Sequence, residues 1–285
     1  LAKDWISKFI AEEGLPKSFR ATAQTVCEPL AARLARLRQA RKKVVVIGLC
    51  GAQGSGKSTI AAATVRLLEE RGLTAVALSL DDFYLSKSAR ERLARELHPL
   101  LATRGPPGTH DVALAGAVLE QLRRPGRVAL PAFDKAADER APRAAWRTVA
   151  TPVDAVIFEG WCVGARSQGA AALAQPVNAL EADEDPDGRW RNYVNAQLDG
   201  PYQELFAKLH ELTFLQAPSF EVVQGWRQEQ EHKLIARTGS GMSDAEIARF
   251  IAHYERLTRW LLAEMPDRAR LVFPLAEDRR PIEEE

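Results

Sequence analysis

The chain has 285 residues, of which 46% are apolar and 27% charged, with 18 glycines and 16 prolines. That composition excludes collagen-like, coiled-coil and disordered classes, and the length suits one large domain or two small ones. With 39 basic residues against 38 acidic ones the net charge is +1, so no global field draws the protein to nucleic acid or an anionic membrane, and a bound anion must be held by a local site.

The first forty residues predict helix, because Trp5, Ile6, Phe9 and Ile10, then Val26, Leu30, Leu34 and Leu37, recur at helical spacing. Residues 1–42 are therefore expected to form a helical extension that covers one edge of a core, ahead of a main unit over residues 43–285. From Lys43 the pattern turns into the β-branched run Val44-Val45-Val46-Ile47, then a glycine cluster, then an alanine-rich stretch from Thr59 to Arg71 that stops at Gly72. This reads as strand, loop and helix. Thr74 to Leu80 predicts a second strand, Leu85 to Leu97 a helix before Pro99, and Asp111 to Leu122 a helix closed by Pro125-Gly126. Val153 to Phe158 and Leu212 to Leu215 predict further buried strands. The alternation of apolar strand and amphipathic helix implies a parallel sheet with helices on both faces, since parallel neighbours need a crossover. Two polar, turn-rich stretches, Ala136 to Pro152 and Gln175 to Gly188, are expected to be loops over the sheet. Ser243-Asp-Ala-Glu246 is a capping box that opens a helix striped by Ile247, Phe250, Ile251, Tyr254, Leu257 and Leu261, and a last strand is expected from Arg270 to Phe273.

One segment carries a specific chemistry. Gly51-Ala52-Gln53-Gly54-Ser55-Gly56-Lys57-Ser58 satisfies G-x-x-x-x-G-K-[ST], directly after a predicted strand and at the start of a predicted helix. Glycines let backbone N–H groups turn inward around a phosphate, and the helix N-terminus, which runs on through Thr59, adds partial positive charge. Lys57 reaches the β- and γ-phosphates and Ser58 can ligate Mg²⁺. Such a site needs a second acidic group at the end of a neighbouring strand. Two strands end in acid: Ala155 to Phe158 runs into Glu159-Gly160, and Ala75 to Leu80 runs into Asp81-Asp82.

Cys27, Cys50 and Cys162 are odd in number and lack C-x-x-C spacing, which argues against a disulfide framework and a zinc site and for a reducing compartment. The longest near-continuous apolar stretch, Val44 to Cys50, is far short of a membrane span, and LAKDWISKFIAEEG lacks signal-peptide features. A cytoplasmic location is the expectation.

The order GAQGSGKS, then a strand ending in DDFY, then a strand ending in FEGW, resembles the P-loop small-molecule kinases that include uridine kinase, phosphoribulokinase and bacterial pantothenate kinase. Within that group the sequence is most similar to the D-glycerate 3-kinases of plants and fungi and their bacterial relatives. That similarity rests on Ser79 to Leu85, Arg104-Gly-Pro-Pro-Gly-Thr-His110-Asp111, Pro131-Ala-Phe133-Asp134-Lys135 and Phe158 to Gly164. The resemblance implies a three-layer α/β P-loop NTPase fold with a mainly parallel sheet, an N-terminal helical extension and a helical lid. It implies Asp81 as general base, Asp82 as a second base candidate or a residue near magnesium, and Glu159 as the carboxylate assisting magnesium. It further implies that Arg104, His110, Asp111 and Lys135 lie in segments lining the acceptor pocket, and that Trp226-Arg227 heads a lid helix whose basic residue, Arg227, reaches the phosphates.

These features point to an ATP- and Mg²⁺-dependent kinase of a small hydroxyl-bearing acceptor, D-glycerate first, with a nucleoside, pantothenate or a sugar phosphate as alternatives. A P-loop switch or assembly factor is the alternative of another class. DDFY and RGPPGTHD look like a hydroxyl-acceptor pocket and not like switch segments. Lys57→Ala should abolish turnover and leave the fold intact, because the residue supplies charge to the phosphates instead of packing; a folded variant with near-normal activity in an ADP-release assay would refute the phosphate-loop assignment.

Overall fold

A computed structural model describes residues 5–239 and 241–282; the remainder of the two expected units, residues 1–4, 240 and 283–285, lies outside the described residues. The strands in chain order are β1 Val45–Gly51, β2 Ala75–Ser79, β3 Gly126–Leu130, β4 Phe133–Asp134, β5 Glu139–Arg140, β6 Arg147–Thr151, β7 Ala155–Gly160, β8 Glu211–Gln216 and β9 Leu271–Pro274. Five of them form a parallel sheet in the order β2-β7-β1-β8-β9. β1 and β7 are buried along their whole length, as expected of central strands covered on both faces.

Alternation along each strand divides the core. Val46 and Cys50 of β1 and Val156 and Phe158 of β7 face one apolar cluster, completed by helices Val112–Gln121, Pro201–Phe206 and Asp244–Glu264. Val45, Ile47 and Leu49 with Ala155 and Ile157 face the other, completed by helices Glu28–Arg41 and Lys57–Glu70. The N-terminal stripes thus find their partner surface on the sheet itself. Val26, Leu30 and Leu34 are fully buried there, and Arg33 and Arg38 pair with Glu211 and Asp154 at the amino-terminal ends of the strands. The capping box at Ser243 forms as expected, with both of its reciprocal hydrogen bonds. The three cysteines are free and buried, and among the described residues no helix is long and apolar enough to cross a membrane.

Two stretches expected to be loops contain regular structure. β6 lies within the first and pairs antiparallel with β3, from Gly126↔Thr151 to Leu130↔Arg147, while β4 and β5 form a second small ribbon. Most of β6 is exposed or half-buried, so a polar sequence suffices and no apolar alternation marks it. In the second stretch Ala179–Glu184 is helical, capped by Asn178, whose side chain accepts from the Glu181 N–H at 3.0 Å. Six residues are too few to show a helical period. This helix is tied to helix Asp244–Glu264 by the buried pair Glu181–Arg256 at 2.6 Å, and a second buried pair, Asp185–Arg191 at 2.9 Å, closes the same region.

The chain passes from β1 to β2 by skipping one strand position, which β7 fills, and β8 takes the other side of β1. The carboxyl end of β1 is therefore a topological switch point, the place where open α/β sheets hold ligands. Helix Asp244–Glu264 closes over this end: the Tyr254 hydroxyl donates to the Arg104 carbonyl at 2.8 Å, and Gly105, at φ +121°, leaves room for the ring. A Cβ at Gly105 would stand 1.8 Å from that hydroxyl oxygen. Gly105→Ala should accordingly cost about 3 kcal/mol, from backbone strain and overpacking together, read as a lowered denaturation midpoint; an unchanged midpoint would show that the loop relaxes freely.

Candidate active site

The loop between β1 and helix Lys57–Glu70 is shaped by two glycines. Gly54 and Gly56 have φ of +78° and +83°, a left-handed conformation that side-chain-bearing residues rarely adopt. The helix begins directly after Gly56, so its unpaired first-turn N–H groups, at Lys57, Ser58 and Thr59, open toward the loop. On the outer side the backbone touches Trp226, whose Cβ would be 2.7 Å from a Cβ at Gly54. Gly51 is equally confined, against Ser55 Oγ and the Leu215 side chain, while Ala52 is buried. The Gln53 Oε1 and Ser55 Oγ atoms are buried with no hydrogen-bond partner among the described residues.

Ser58 donates to Glu159 Oε1 at 2.7 Å, joining the loop to the end of β7. The other carboxylate oxygen, Oε2, is buried and has no partner among the described residues. A strand-end carboxylate with an orphaned oxygen next to a P-loop hydroxyl fits a divalent cation.

β2 pairs with β7 so that Ser79 stands opposite Glu159, which puts Asp81 and Asp82, just past the end of β2, beside the same carboxylate. Asp81 is engaged on both oxygens, by the Tyr84 hydroxyl at 2.8 Å and by Lys135 Nζ at 2.7 Å. Burial opposes its ionisation, but Lys135 and Lys57 outweigh burial and hold the carboxyl well below the usual carboxylate range. Asp82 has one long contact, accepting from the Phe133 N–H at 3.3 Å. Burial, with Asp81 and Glu159 nearby, raises its pKa to about 6 against the opposing effect of that N–H.

The four residues expected around the acceptor are drawn together but hold different stations. Lys135, on the turn between β4 and β5, pairs with Asp81 and is largely exposed. Arg104 pairs with Asp138 on the same turn and lies over the Phe133 ring, its Cζ 5.7 Å from the centroid. Arg90, almost fully buried, binds the other Asp138 oxygen at 2.6 Å. Asp111 is occupied structurally: one oxygen caps helix Val112–Gln121 by accepting from Leu114 N–H at 3.0 Å, and the other pairs with Arg140 at 3.2 Å.

His110 joins this group as an uncharged ring. It is buried, stacks on Tyr84 with 4.6 Å between ring centroids, and its pKa is lowered to about 4 by burial. Tyr202 Oη accepts the Gly108 N–H at 3.0 Å and is hydrogen-bonded to His110 Nδ1 at 2.6 Å. The other ring nitrogen, Nε2, is buried and has no partner among the described residues.

Arg227, on helix Phe220–Thr238, is engaged by partners of this chain. Its Nη2 lies 2.6 Å from Glu231 Oε2, and its guanidinium lies over Phe250. The residue that meets the P-loop from this helix is its neighbour Trp226. Arg90, Asp138 and Tyr202 were not expected from the sequence, because ordinary surface charges and a lone tyrosine carry no pattern there. Tyr84 lies in the DDFY motif, which by itself assigns it no role.

Residues 46–168 match the family model described as phosphoribulokinase/uridine kinase. The chain is 35% identical over 224 residues to an uncharacterized kinase of Schizosaccharomyces pombe, a match covering 73% of this chain and 78% of that one. It is 29% identical over 260 residues to the chloroplastic D-glycerate 3-kinase of Arabidopsis thaliana, covering 84% of this chain and 54% of the plant enzyme. Among solved structures, D-glycerate 3-kinase from Cryptococcus neoformans superposes with a TM-score of 0.78 at 26% identity, covering 93% of this chain and 98% of that one.

The His110 environment has a consequence for stability. A histidine whose pKa falls from 6.5 to about 4 on folding contributes stability that is present above pH 6.5 and lost as pH falls toward 4. The loss amounts to about 3 kcal/mol at most. His110→Gln should show a flatter stability profile across that window in urea titrations at successive pH values; an identical slope would place the ring in a solvated setting.

Proposed function

Since the chain belongs to the phosphoribulokinase/uridine kinase family of P-loop kinases, enzymes acting on small molecules, we propose that it transfers the γ-phosphoryl group of ATP to the 3-hydroxyl of D-glycerate. The observation that carries the acceptor class is the seat of the Asp138 carboxylate, held by Arg104 and Arg90 over Phe133, with Lys135 two residues beyond that ring. A pocket that already holds a side-chain carboxylate between two guanidinium groups suits a small hydroxy acid. The D-glycerate 3-kinase relatives of Arabidopsis thaliana and Cryptococcus neoformans support that choice over a nucleoside or pantothenate. Residues 43–285 form the kinase unit in this reading, and residues 1–42 an extension that seals one face of its sheet.

The triphosphate is received by the loop Gly51–Ser58 and the first turn of helix Lys57–Glu70, with Lys57 on the β- and γ-phosphates. Ser58 and Glu159 are the groups that would hold magnesium, which supplies neutralising charge on the phosphate oxygens. The nucleobase faces the groove between Gln216–Pro218 and Pro274–Glu277, at the ends of β8 and β9. The acceptor carboxylate replaces Asp138 on Arg104 and draws Lys135 from Asp81, and His110 donates its Nε2 hydrogen to an acceptor oxygen. Asp81, freed of one partner, then accepts the hydrogen bond of the terminal hydroxyl. That oxygen attacks the γ-phosphorus, the bond to the β,γ-bridging oxygen breaks, ADP leaves, and the hydroxyl proton ends on Asp81. A base of low pKa suits a dissociative transfer, in which orientation matters more than early proton removal.

Asp81→Asn should lower kcat by about a hundredfold or more with nucleotide binding retained, whereas Asp82→Asn should keep most of the turnover. With Mg-ATP and a panel of D-glycerate, uridine and pantothenate, D-glycerate should be the strong acceptor and 3-phosphoglycerate the product. Formation of 2-phosphoglycerate alone would overturn the anchoring geometry, and turnover of a nucleoside with none of glycerate would overturn the substrate.

A further inference from the structure

The turn that follows β9 reaches back across the sheet to the phosphate loop. Leu275 and Pro281 form a bridge, the Ala276 N–H donates to the Arg280 carbonyl at 2.8 Å, and the Arg279 N–H donates to the Ala276 carbonyl at 2.8 Å. At the tip Arg279 has φ +69°, a left-handed conformation disfavoured for a residue with a side chain. Its guanidinium spans three segments. Nε–H donates to the Gly54 carbonyl at 2.8 Å, Nη2 donates to Glu229 Oε2 at 2.6 Å, and Cζ lies 5.3 Å from the centroid of Trp226. Trp226 in turn donates its indole N–H to the Glu277 carbonyl at 2.6 Å and rests its Cβ against Gly54.

We propose that Arg279 is a positioning residue for the nucleotide, acting through Gly54: it pins the Gly54–Ser55 peptide with its carbonyl turned outward. The peptide group is planar and trans, so a carbonyl held outward sends the N–H of Ser55 to the opposite side, into the loop, where it now meets the Ala52 carbonyl at 3.2 Å. Glycine at position 54 leaves room for Trp226, and with no side chain it leaves its ψ, one of the two torsions about which this peptide turns, little restrained. Turned over, it would aim a carbonyl oxygen at an anionic phosphate. A charged donor on the outer face, backed by the Trp226 ring, removes that alternative before the ligand arrives, which lowers the cost of ordering on binding. The inference rests on Gly51–Ser58 as the nucleotide site and is independent of which acceptor is used.

The test measures Mg-ATP and Mg-ADP dissociation constants by titration calorimetry without acceptor. Arg279→Ala should weaken both by about tenfold, the effect of one charge-assisted hydrogen bond, and Arg279→Lys by less, since an ammonium cannot span Gly54 and Glu229 together. Acceptor KM at saturating ATP should stay within about twofold of the parent. Arg280→Ala, at the exposed neighbour that pairs with Asp278, should bind nucleotide like the parent. A folded Arg279→Ala with unchanged nucleotide affinity overturns the proposal, as does a rise in acceptor KM equal to the loss in nucleotide affinity together with a lowered melting temperature. If Arg279→Ala does not fold, Arg279→Lys and Glu229→Gln carry the same reading, and unchanged nucleotide affinity in both overturns it. Failure of the glycerate assignment would appear separately, as absent acceptor turnover with the effect of Arg279 on nucleotide affinity intact.

Discussion

Three carboxylates, Asp81 and Asp82 just past the end of β2 and Glu159 near the end of its parallel neighbour β7, converge, and the rest of the site is organised around making that crowding tolerable. The register of β2 against β7 forces the meeting, because Ser79 lies directly across from Glu159. Each acid meets a different solution. Glu159 takes a hydroxyl donor from the P-loop, Asp81 takes a phenol and an ammonium, and Asp82 is left with a single long backbone contact. Their proton affinities separate accordingly, Asp81 falling below the ordinary carboxylate range and Asp82 rising to about 6. Similar side chains in adjacent positions thus acquire different chemistry from burial and partners alone.

The cations beside this cluster follow the same constraint with the sign reversed. Lys135, Arg104, Arg90 and Arg140 are each matched by a carboxylate of this chain, at Asp81, Asp138 and Asp111. In the proposed function an entering carboxylate would replace one already in place, so no bare cation need be stripped of water. The ribbon that carries Lys135 and Asp138 has strands of only two residues, so its position depends heavily on these ion pairs. His110 completes the arrangement as a neutral ring, kept so by burial, stacked on Tyr84 and hydrogen-bonded to the Tyr202 hydroxyl.

Beneath both halves lies a sheet buried on two faces, and its rigidity makes the placement of these groups reproducible. β1 delivers the P-loop at the switch point. The helices of residues 28–41 and 57–70 cover one face, and helix Asp244–Glu264 closes the other through Tyr254 and the buried Glu181–Arg256 pair. Gly54 and Gly56 hold left-handed backbone at little cost because they carry no side chain, and at Gly54 the Trp226 contact leaves no room for one.

Features whose physics is local could be read from the residues in order. The P-loop is one, because left-handed glycines, a helix N-terminus and a lysine within eight positions are a complete statement of a phosphate cradle. The strand-end acids are another, since an apolar run that stops at Asp81 or Glu159 states both strand and exit. The capping box at Ser243 and the apolar stripes of the N-terminal helices belong with them. The antiparallel partner of β3 was not readable, because a ribbon exposed on most of its surface needs no apolar alternation. Nor were the stations of Arg227, paired within its own helix, and Asp111, committed to a helix cap. His110 is hydrogen-bonded to a tyrosine 92 positions away, and the Gly54 carbonyl to an arginine 225 positions away. Charge, burial and hydrogen bonding act over distances in space, and separation along the chain carries no record of them until the sheet has brought the segments together.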